Sequence, residues 1–426
     1  MIQELKIKNF LSFKDEVTIS FEATKDKKLE QYHVVEVAKG IRLLKLGIVY
    51  GANASGKTNL LNAFEFLRDF WFNVADSKED ETDVIPFLLD TETPSQLSSF
   101  KLSFYVGSTK YVYALEITEQ YVLFEKLEYY PGVQPAIVFE RKLNGTVSEI
   151  VFGSKLKISS LAQEEITIKC LPNMSVFAAY NQVNLQVPEL EAASSWMYNQ
   201  FMPTIEPGTS LVNYSQQLIA DDITAKDKIL AFLKKADLNI SNIETKVITK
   251  KISDNFINEV KALNIPKQEL ERLQKEKSIS HIETKFQHEV KNLDGTVSLF
   301  PLSINLQSDG TKRVFGLSGA LLSTIKQNAF LAIDEIESKL HPDLLSYLLE
   351  HFLRESKQAQ LLVSTHYDGL LDEDDLLRND NVWFAEKKKD ASTSLYSMAE
   401  FKALNRIASK QKAYRVGKFG AIPNIN

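Results

Sequence analysis

Cysteine is almost absent from the chain: Cys170 stands alone, which excludes an intramolecular disulfide and any thiolate zinc cluster. A buried, inert side chain is its simplest reading, and a reducing cytosol suits it. Long apolar runs are missing as well, and none approaches the roughly 18 residues that suggest a membrane span. The opening residues MIQELKIKNF alternate like a strand and lack a signal-peptide core, so the sequence predicts a cytoplasmic protein with no membrane partner. The 16 glycines and 12 prolines gather into no low-complexity linker. Positive charge is not in excess: 50 Lys and Arg against 56 Asp and Glu leave a formal charge of −6, without the overall basic footprint of a dedicated nucleic-acid binder. What remains is 44% hydrophobic and 25% charged over 426 residues, a globular composition long enough for several structural units.

Ile2, Leu5, Ile7 and then Val17, Ile19, Phe21 recur mostly at period two and predict two edge-like strands. Leu46 to Tyr50 is a short apolar run entering a Gly-rich turn. Leu60, Ala63, Phe64, Leu67 and Trp71 then recur at helical spacing, giving strand, loop, helix. From Phe100 to Phe139, runs rich in β-branched and aromatic residues predict an antiparallel meander. Between Ala192 and Glu289 the chain reads as helical and polar, with Phe256, Val260, Leu263, Leu270 and Leu273 at three- or four-residue spacing, too briefly for a long coiled coil. From Leu317 onward helices alternate with the strands FLAI, LLVS and VWFA, which implies a parallel sheet.

Gly51-Ala52-Asn53-Ala54-Ser55-Gly56-Lys57-Thr58 fits the phosphate-loop pattern and sits between a predicted strand and helix, as that pattern requires. Glycines let backbone N–H groups close around phosphate oxygens at a helix N-terminus, Lys57 reaches the β- and γ-phosphates, and Thr58 would ligate magnesium. Phe330-Leu331-Ala332-Ile333 leads into Asp334 and Glu335 at the C-terminal end of a buried strand, where ligands of open α/β sheets bind. Asp334 suits a magnesium ligand, through water, and Glu335 a residue that orients the attacking water. Leu361-Leu362-Val363-Ser364 leads to His366, placed to donate to the γ-phosphate. Ser308-Asp309-Gly310-Thr311 precedes a helix and reads either as an N-cap or as an anion-binding helix start.

The order of these segments resembles an ABC-type ATPase head, and the long stretch between Thr58 and Ser308 resembles the SMC-like, DNA-repair and OLD-like branch rather than transporter modules. Within that branch, IKNFLSF, GANASGKT, LAIDEIESKLHP and YRVGKFGAIP resemble the AAA-15-type ATPases of prokaryotic defence and abortive-infection loci, RloA-like proteins and the PARIS ATPase among them. The resemblance covers roughly the head segments and implies an α/β P-loop NTPase fold: an N-lobe over 1–190 with the antiparallel β meander, a helical insertion over 191–294, and a C-lobe over 295–426 on a mostly parallel sheet. It implies ATP and Mg²⁺ as cofactors, with Gly51, Asn53, Ala54, Ser55, Gly56, Lys57, Thr58 and Asn59 around the nucleotide. Ser308 and Gly310 would reach the γ-phosphate of a second copy in a homodimer or larger oligomer. Glu337 and Ser338 would lie near that interface, and Lys8, Asn9 and Ser12 would flank the base or ribose. The signature departs from Ser-Gly-Gly-Gln by an acidic residue, Asp309. Gln96, Gln163 and Gln182 all stay open as the magnesium-linking glutamine.

Three functions compete at this level. The first is an ATP-driven sensor or switch in antiphage defence, which holds and releases a separate effector protein, a nuclease or toxin. The second is an SMC-like DNA-repair or DNA-tethering ATPase, for which nucleic acid would meet Lys250-Lys251 or Lys387-Lys388-Lys389. The third is a nuclease built on Asp372-Glu373-Asp374-Asp375. It is disfavoured because four consecutive acids cannot all face one metal site.

Overall fold

The computed structural model of the protein describes residues 1–236, 238–261 and 267–423. In chain order the strands are β1 (Ile2–Lys8), β2 (Val17–Ser20), β3 (Val34–Ala38), β4 (Ile41–Leu44), β5 (Leu46–Tyr50), β6 (Ser98–Val106), β7 (Thr109–Ile117), β8 (Val122–Tyr130), β9 (Ala136–Asn144) and β10 (Val147–Phe152). They continue with β11 (Ile240–Lys251), β12 (Ser278–Lys291), β13 (Val297–Ser303), β14 (Phe330–Ile333), β15 (Gln360–Ser364), β16 (Val382–Lys387) and β17 (Thr393–Ser397). Three helices adjoin core strands along the chain: α1 (Lys57–Phe72) comes after β5, α2 (Asp309–Gln327) precedes β14, and α3 (Pro342–Glu355) joins β14 to β15. Among the described residues no helix is long and apolar enough to cross a membrane.

The chain divides into two compact units, the first comprising 1–209, 324–338 and 342–426, the second 210–323 and 339–341. The first is an α/β P-loop NTPase fold. Its core sheet runs β14-β15-β5-β16-β17, the first four strands parallel and β17 antiparallel to β16. β5, β14 and β15 are buried along their whole length, which explains their continuous apolar sequences. A second sheet, β10-β9-β8-β7-β6-β1-β2, is antiparallel throughout and contains the expected meander. β1 is no edge strand: it pairs with β6 as well as β2, so Ile2, Leu5 and Ile7 are all buried.

α1 carries the apolar face that its spacing predicts, with Leu60, Ala63, Phe64, Leu67 and Trp71 buried. Phe64 meets Phe330 of β14 at 4.9 Å between ring centroids, and Trp71 meets Tyr113 of β7 edge-on at 5.8 Å, so the helix packs on both sheets. Cys170 is buried in this core, and desolvation pushes its thiol up to about 12, consistent with the inert reading.

Glu125 of β8 and Arg141 of β9 form a wholly buried ion pair at 3.4 Å. Arg141 also donates to the Ser148 hydroxyl at 2.9 Å and to the carbonyls of Leu171, Pro172 and Met174. Glu125 accepts from Tyr113, Ser175 and the Val176 amide. The pair thereby fastens the segment 171–176 to the sheet, and its hydrogen bonds offset the desolvation of two charges.

The second unit departs from the wholly helical insertion expected over 191–294. It combines the helices Val212–Asp221 and Ile223–Lys235 with an antiparallel sheet, β11-β12-β13, and the first turns of α2. The strands were hidden because their alternation is diluted by Lys, Glu, His and Thr, with only Ile240, Ile243, Thr284 and Phe286 buried in β11 and β12. Phe286 packs on Phe315 of α2 at 5.3 Å, and Gln216 donates to Thr284 at 2.9 Å. The unit is bounded by Ser210 and Ser323 rather than by 191 and 294, so Ser308 and Gly310 belong to it. Of the expected apolar helical repeat, Leu263 lies outside the described residues.

Replacing Arg141 by Met should lower the unfolding free energy by about 3–5 kcal/mol, the usual effect of stranding one buried charge. Urea unfolding followed by circular dichroism measures it, and a loss below about 1 kcal/mol would contradict the assigned role of the pair.

Candidate functional site

The loop from Gly51 to Thr58 leaves the buried end of β5 and enters α1 through a backbone that few residues tolerate. A Cβ on Gly51 would stand 2.4 Å from the Ala385 carbonyl oxygen, so no side chain fits beside β16. Gly56 has φ +103°, and a Cβ there would meet Thr393 Oγ1 at 2.3 Å and Ser12 Oγ at 2.7 Å. Those two hydroxyls lie 2.8 Å apart, and Thr393 Oγ1 also lies 2.9 Å from the Ser55 carbonyl, which clamps the loop between the Ser12 turn and β17. Ser55 Oγ is buried without a hydrogen-bond partner inside the cradle. Lys57 folds back, donating to the carbonyls of Gly51 (2.9 Å) and Ala52 (3.1 Å). Burial lowers the pKa of its ammonium, while Asp334, Glu335 and Glu337 pull the other way.

The parallel register sets Ile333 beside Val363, and Ser364 beside Val49, so β14, β15 and β5 end at one level. There the buried Asp334 carboxylate accepts from Thr58 Oγ1 at 2.8 Å and from the Ser364 hydroxyl. Ser364 Oγ in turn accepts from the Glu335 amide at 2.8 Å. Glu335 turns the chain at φ +43° and points its half-exposed carboxylate toward His366, whose Nε2 stands 3.9 Å away. The His366 amide donates to Glu337 at 2.6 Å, so Glu337 braces the histidine turn, and the Ser338 amide closes the Glu335 turn at 2.8 Å. Burial and then the Lys57 charge lower the His366 pKa, disfavouring its charged form.

A cavity of about 600 Å³ opens over the loop. It is lined by Ser12, Asn53 to Asn59, Glu335, His366, Lys387, Ala391 and a facing wall, Ile85 to Leu89. A second, larger one shares Asn53, Ser55, Glu335, His366 and Lys387 and extends to Arg415 and Pro423. The structure thus brings Asn53, Ala54, Ser55, Gly56, Lys57, Thr58, Asn59, Asp334, Glu335 and His366 together, with Gly51 at the rim.

Asn9 is corrected. It is fully buried, donates to the Thr93 and Gln96 carbonyls at 2.9 Å and accepts from the Phe87 amide at 3.0 Å, so it holds the facing wall and is shielded from the cavity. Lys8 is exposed and lines neither cavity, whereas Ser12 lines the first. None of Gln96, Gln163 and Gln182 lines either; the wall opposite the loop is apolar. Sequence reasoning missed that wall and the Ser364 bridge, for which a hydroxyl at the end of an apolar strand was the only available sign.

Ser308 and Gly310, in the second unit, open α2. Ser308 is exposed and caps the helix, its Oγ 3.1 Å from the Thr311 amide, and Asp309 pairs with Lys339 at 3.3 Å. In the acidic run, Asp372 accepts from Ser409 and the Gln411 amide, Glu373 from Ser346, and Asp374 pairs with Lys410 and Lys28. These carboxylates are spent on separate surface contacts, and among the described residues no group of His, Cys, Asp and Glu is arranged to hold a metal ion by itself.

The family model described as "AAA domain, putative AbiEii toxin, Type IV TA system" matches residues 48–148 and 214–372, more than half of the chain. The chain belongs to this family. No curated protein matches it. Among solved structures, this AAA-domain protein is similar to the SMC head domain from Thermotoga maritima, with 12% identity, TM-score 0.44 and coverage of 93% of this chain and 98% of that one. It is also similar to the Smc head domain with an extended coiled coil bound to the C-terminal domain of ScpA, from Pyrococcus furiosus, with 15% identity, TM-score 0.41 and 98% of each chain covered. The family match spans the phosphate loop, Asp334, Glu335 and His366, which makes an AAA-type P-loop fold the setting of the site.

The two causes of the His366 shift predict its titration. By NMR, its imidazole should titrate below the ordinary 6.5, and replacing Lys57 by Gln should raise that midpoint by removing a nearby positive charge. An unchanged or lower midpoint in the Lys57→Gln protein would contradict the geometry.

Proposed function

We propose that this protein binds ATP with Mg²⁺ over Gly51 to Asn59 and hydrolyses it. We further propose that two copies close composite sites through Ser308 and Gly310, and that the cycle is a switch for a separate effector, a nuclease or toxin, in antiphage defence. One observation carries the ATPase part: the Thr58–Asp334–Ser364 bridge, which joins a phosphate loop to a buried carboxylate at the ends of three parallel strands.

The residues suit the nucleotide. The orphaned Ser55 hydroxyl and the N-terminus of α1 offer donors to phosphate oxygens, and Lys57 needs only to exchange two carbonyl acceptors for the β- and γ-phosphates. Thr58 and Asp334 present hard oxygen ligands for Mg²⁺, few enough that phosphates and water complete the shell. Bound there, Mg²⁺ would offset the charge that develops on the phosphates. Glu335 stands at the cavity edge to orient a water in line with the γ-phosphate, and His366 in the same cavity wall can donate a hydrogen bond to that phosphate.

The exposed cap of α2 leaves Ser308 accessible to a second copy. The family's own description, a putative toxin of a type IV toxin–antitoxin system, favours a role in such conflict systems over housekeeping transport. The mild negative charge favours a protein partner over bulk DNA.

Glu335→Gln should keep ATP binding, lower kcat about 10²–10⁴-fold and accumulate an ATP-dependent dimer in light scattering. A Glu335→Gln protein that stays monomeric with ATP and Mg²⁺ rejects the composite sites. A Lys57→Ala protein that hydrolyses ATP at the wild-type rate rejects the ATPase assignment.

A further inference from the structure

β16 runs parallel to β5 with Phe384 opposite Tyr50, the last residue of β5 before the phosphate loop. The Ala385 carbonyl fills the space beside Gly51, and two residues later Lys387 ends the strand at the mouth of both cavities. Lys387 pairs in register with Thr393, whose hydroxyl touches the Ser55 carbonyl, so the same hairpin that clamps the phosphate loop also sets the root of the Lys387 side chain.

Five residues wall both cavities: Asn53, Ser55, Glu335, His366 and Lys387. The first four belong to the loop and to the γ-phosphate end of the proposed site. Lys387 is the one fixed positive charge in the set. Its neighbour Lys388 is engaged by Asp15 at 3.0 Å, whereas among the described residues the Lys387 ammonium has no hydrogen-bond or ion-pair partner. Asp334, Glu335 and Glu337 crowd this end with negative charge, to which a triphosphate adds more, so a second cation beside Lys57 has a clear electrostatic task.

We infer that Lys387 is a second phosphate-binding lysine, which reaches the terminal phosphate of the nucleotide held by its own chain and thereby separates ATP from ADP. This rests on Gly51 to Asn59 being the ATP site. No group changes its covalent bonds; the residue acts by charge and hydrogen bonding alone.

Titration of the full-length protein with fluorescent mant-ATP and mant-ADP in the presence of Mg²⁺ tests it. Lys387→Gln should weaken mant-ATP at least about tenfold and mant-ADP by less than about threefold, the scale of one lost charge-assisted hydrogen bond. Lys387→Arg should restore most of the mant-ATP affinity. Lys402→Gln, at an exposed lysine that lines neither cavity, should bind as wild type. Unchanged mant-ATP binding by Lys387→Gln, an equal loss for mant-ADP, or a matching loss with Lys402→Gln would each overturn the inference. Lys57→Gln separates the two levels. If it binds mant-ATP as wild type, the ATP-site reading itself fails; if it loses binding while Lys387→Gln does not, only the role of Lys387 fails.

Discussion

The Asp334 carboxylate is the interaction on which the site depends. It is buried, and a carboxylate out of water must be met by donors or it destabilises the fold. Its two donors come from separate elements, Thr58 at the first turn of α1 and Ser364 at the end of β15. Strand order makes this possible: β15 lies between β14 and β5, so Ser364 is central to the row and can hold both Asp334 and the Glu335 amide. Shifting the register of any of these strands would separate the loop from the carboxylates.

A second constraint is electrostatic. Three carboxylates, Asp334, Glu335 and Glu337, gather near a lysine whose ammonium is destabilised by burial. In this structure Lys57 is satisfied by carbonyls of its own loop and burial disfavours the charged form of His366, which leaves Lys387 as the other lysine lining the first cavity. Such a balance suits a ligand that brings its own cation, as a magnesium nucleotide does. Rigidity is supplied from outside: the Ser12–Thr393 clamp fixes the loop, Asn9 fixes the facing wall, and the Glu125–Arg141 network fixes the sheet beneath the helices.

Much of the first unit was legible because its signals are local. An apolar strand, a Gly-rich turn and a helix with a 3.6-residue apolar stripe are contiguous in sequence, and β14 and β15 are buried enough to read as unbroken apolar runs. What sequence could not show depends on contacts between distant segments. Ser364 is an ordinary serine until β15 is placed next to β14, and Asn9 resembles a surface residue until its amide is seen holding Thr93, Gln96 and Phe87. The strands of the second unit escaped notice because few of their residues are buried, leaving too few apolar positions to betray a period of two.

The most direct measurement is the dependence of ATP affinity on Mg²⁺ in the wild-type and Asp334→Asn proteins, by calorimetry with and without the ion. If Asp334 and Thr58 frame the metal, Mg²⁺ should tighten ATP binding by the wild type about tenfold or more and change that of Asp334→Asn by less than about twofold. An equal Mg²⁺ enhancement in the two proteins would contradict the account.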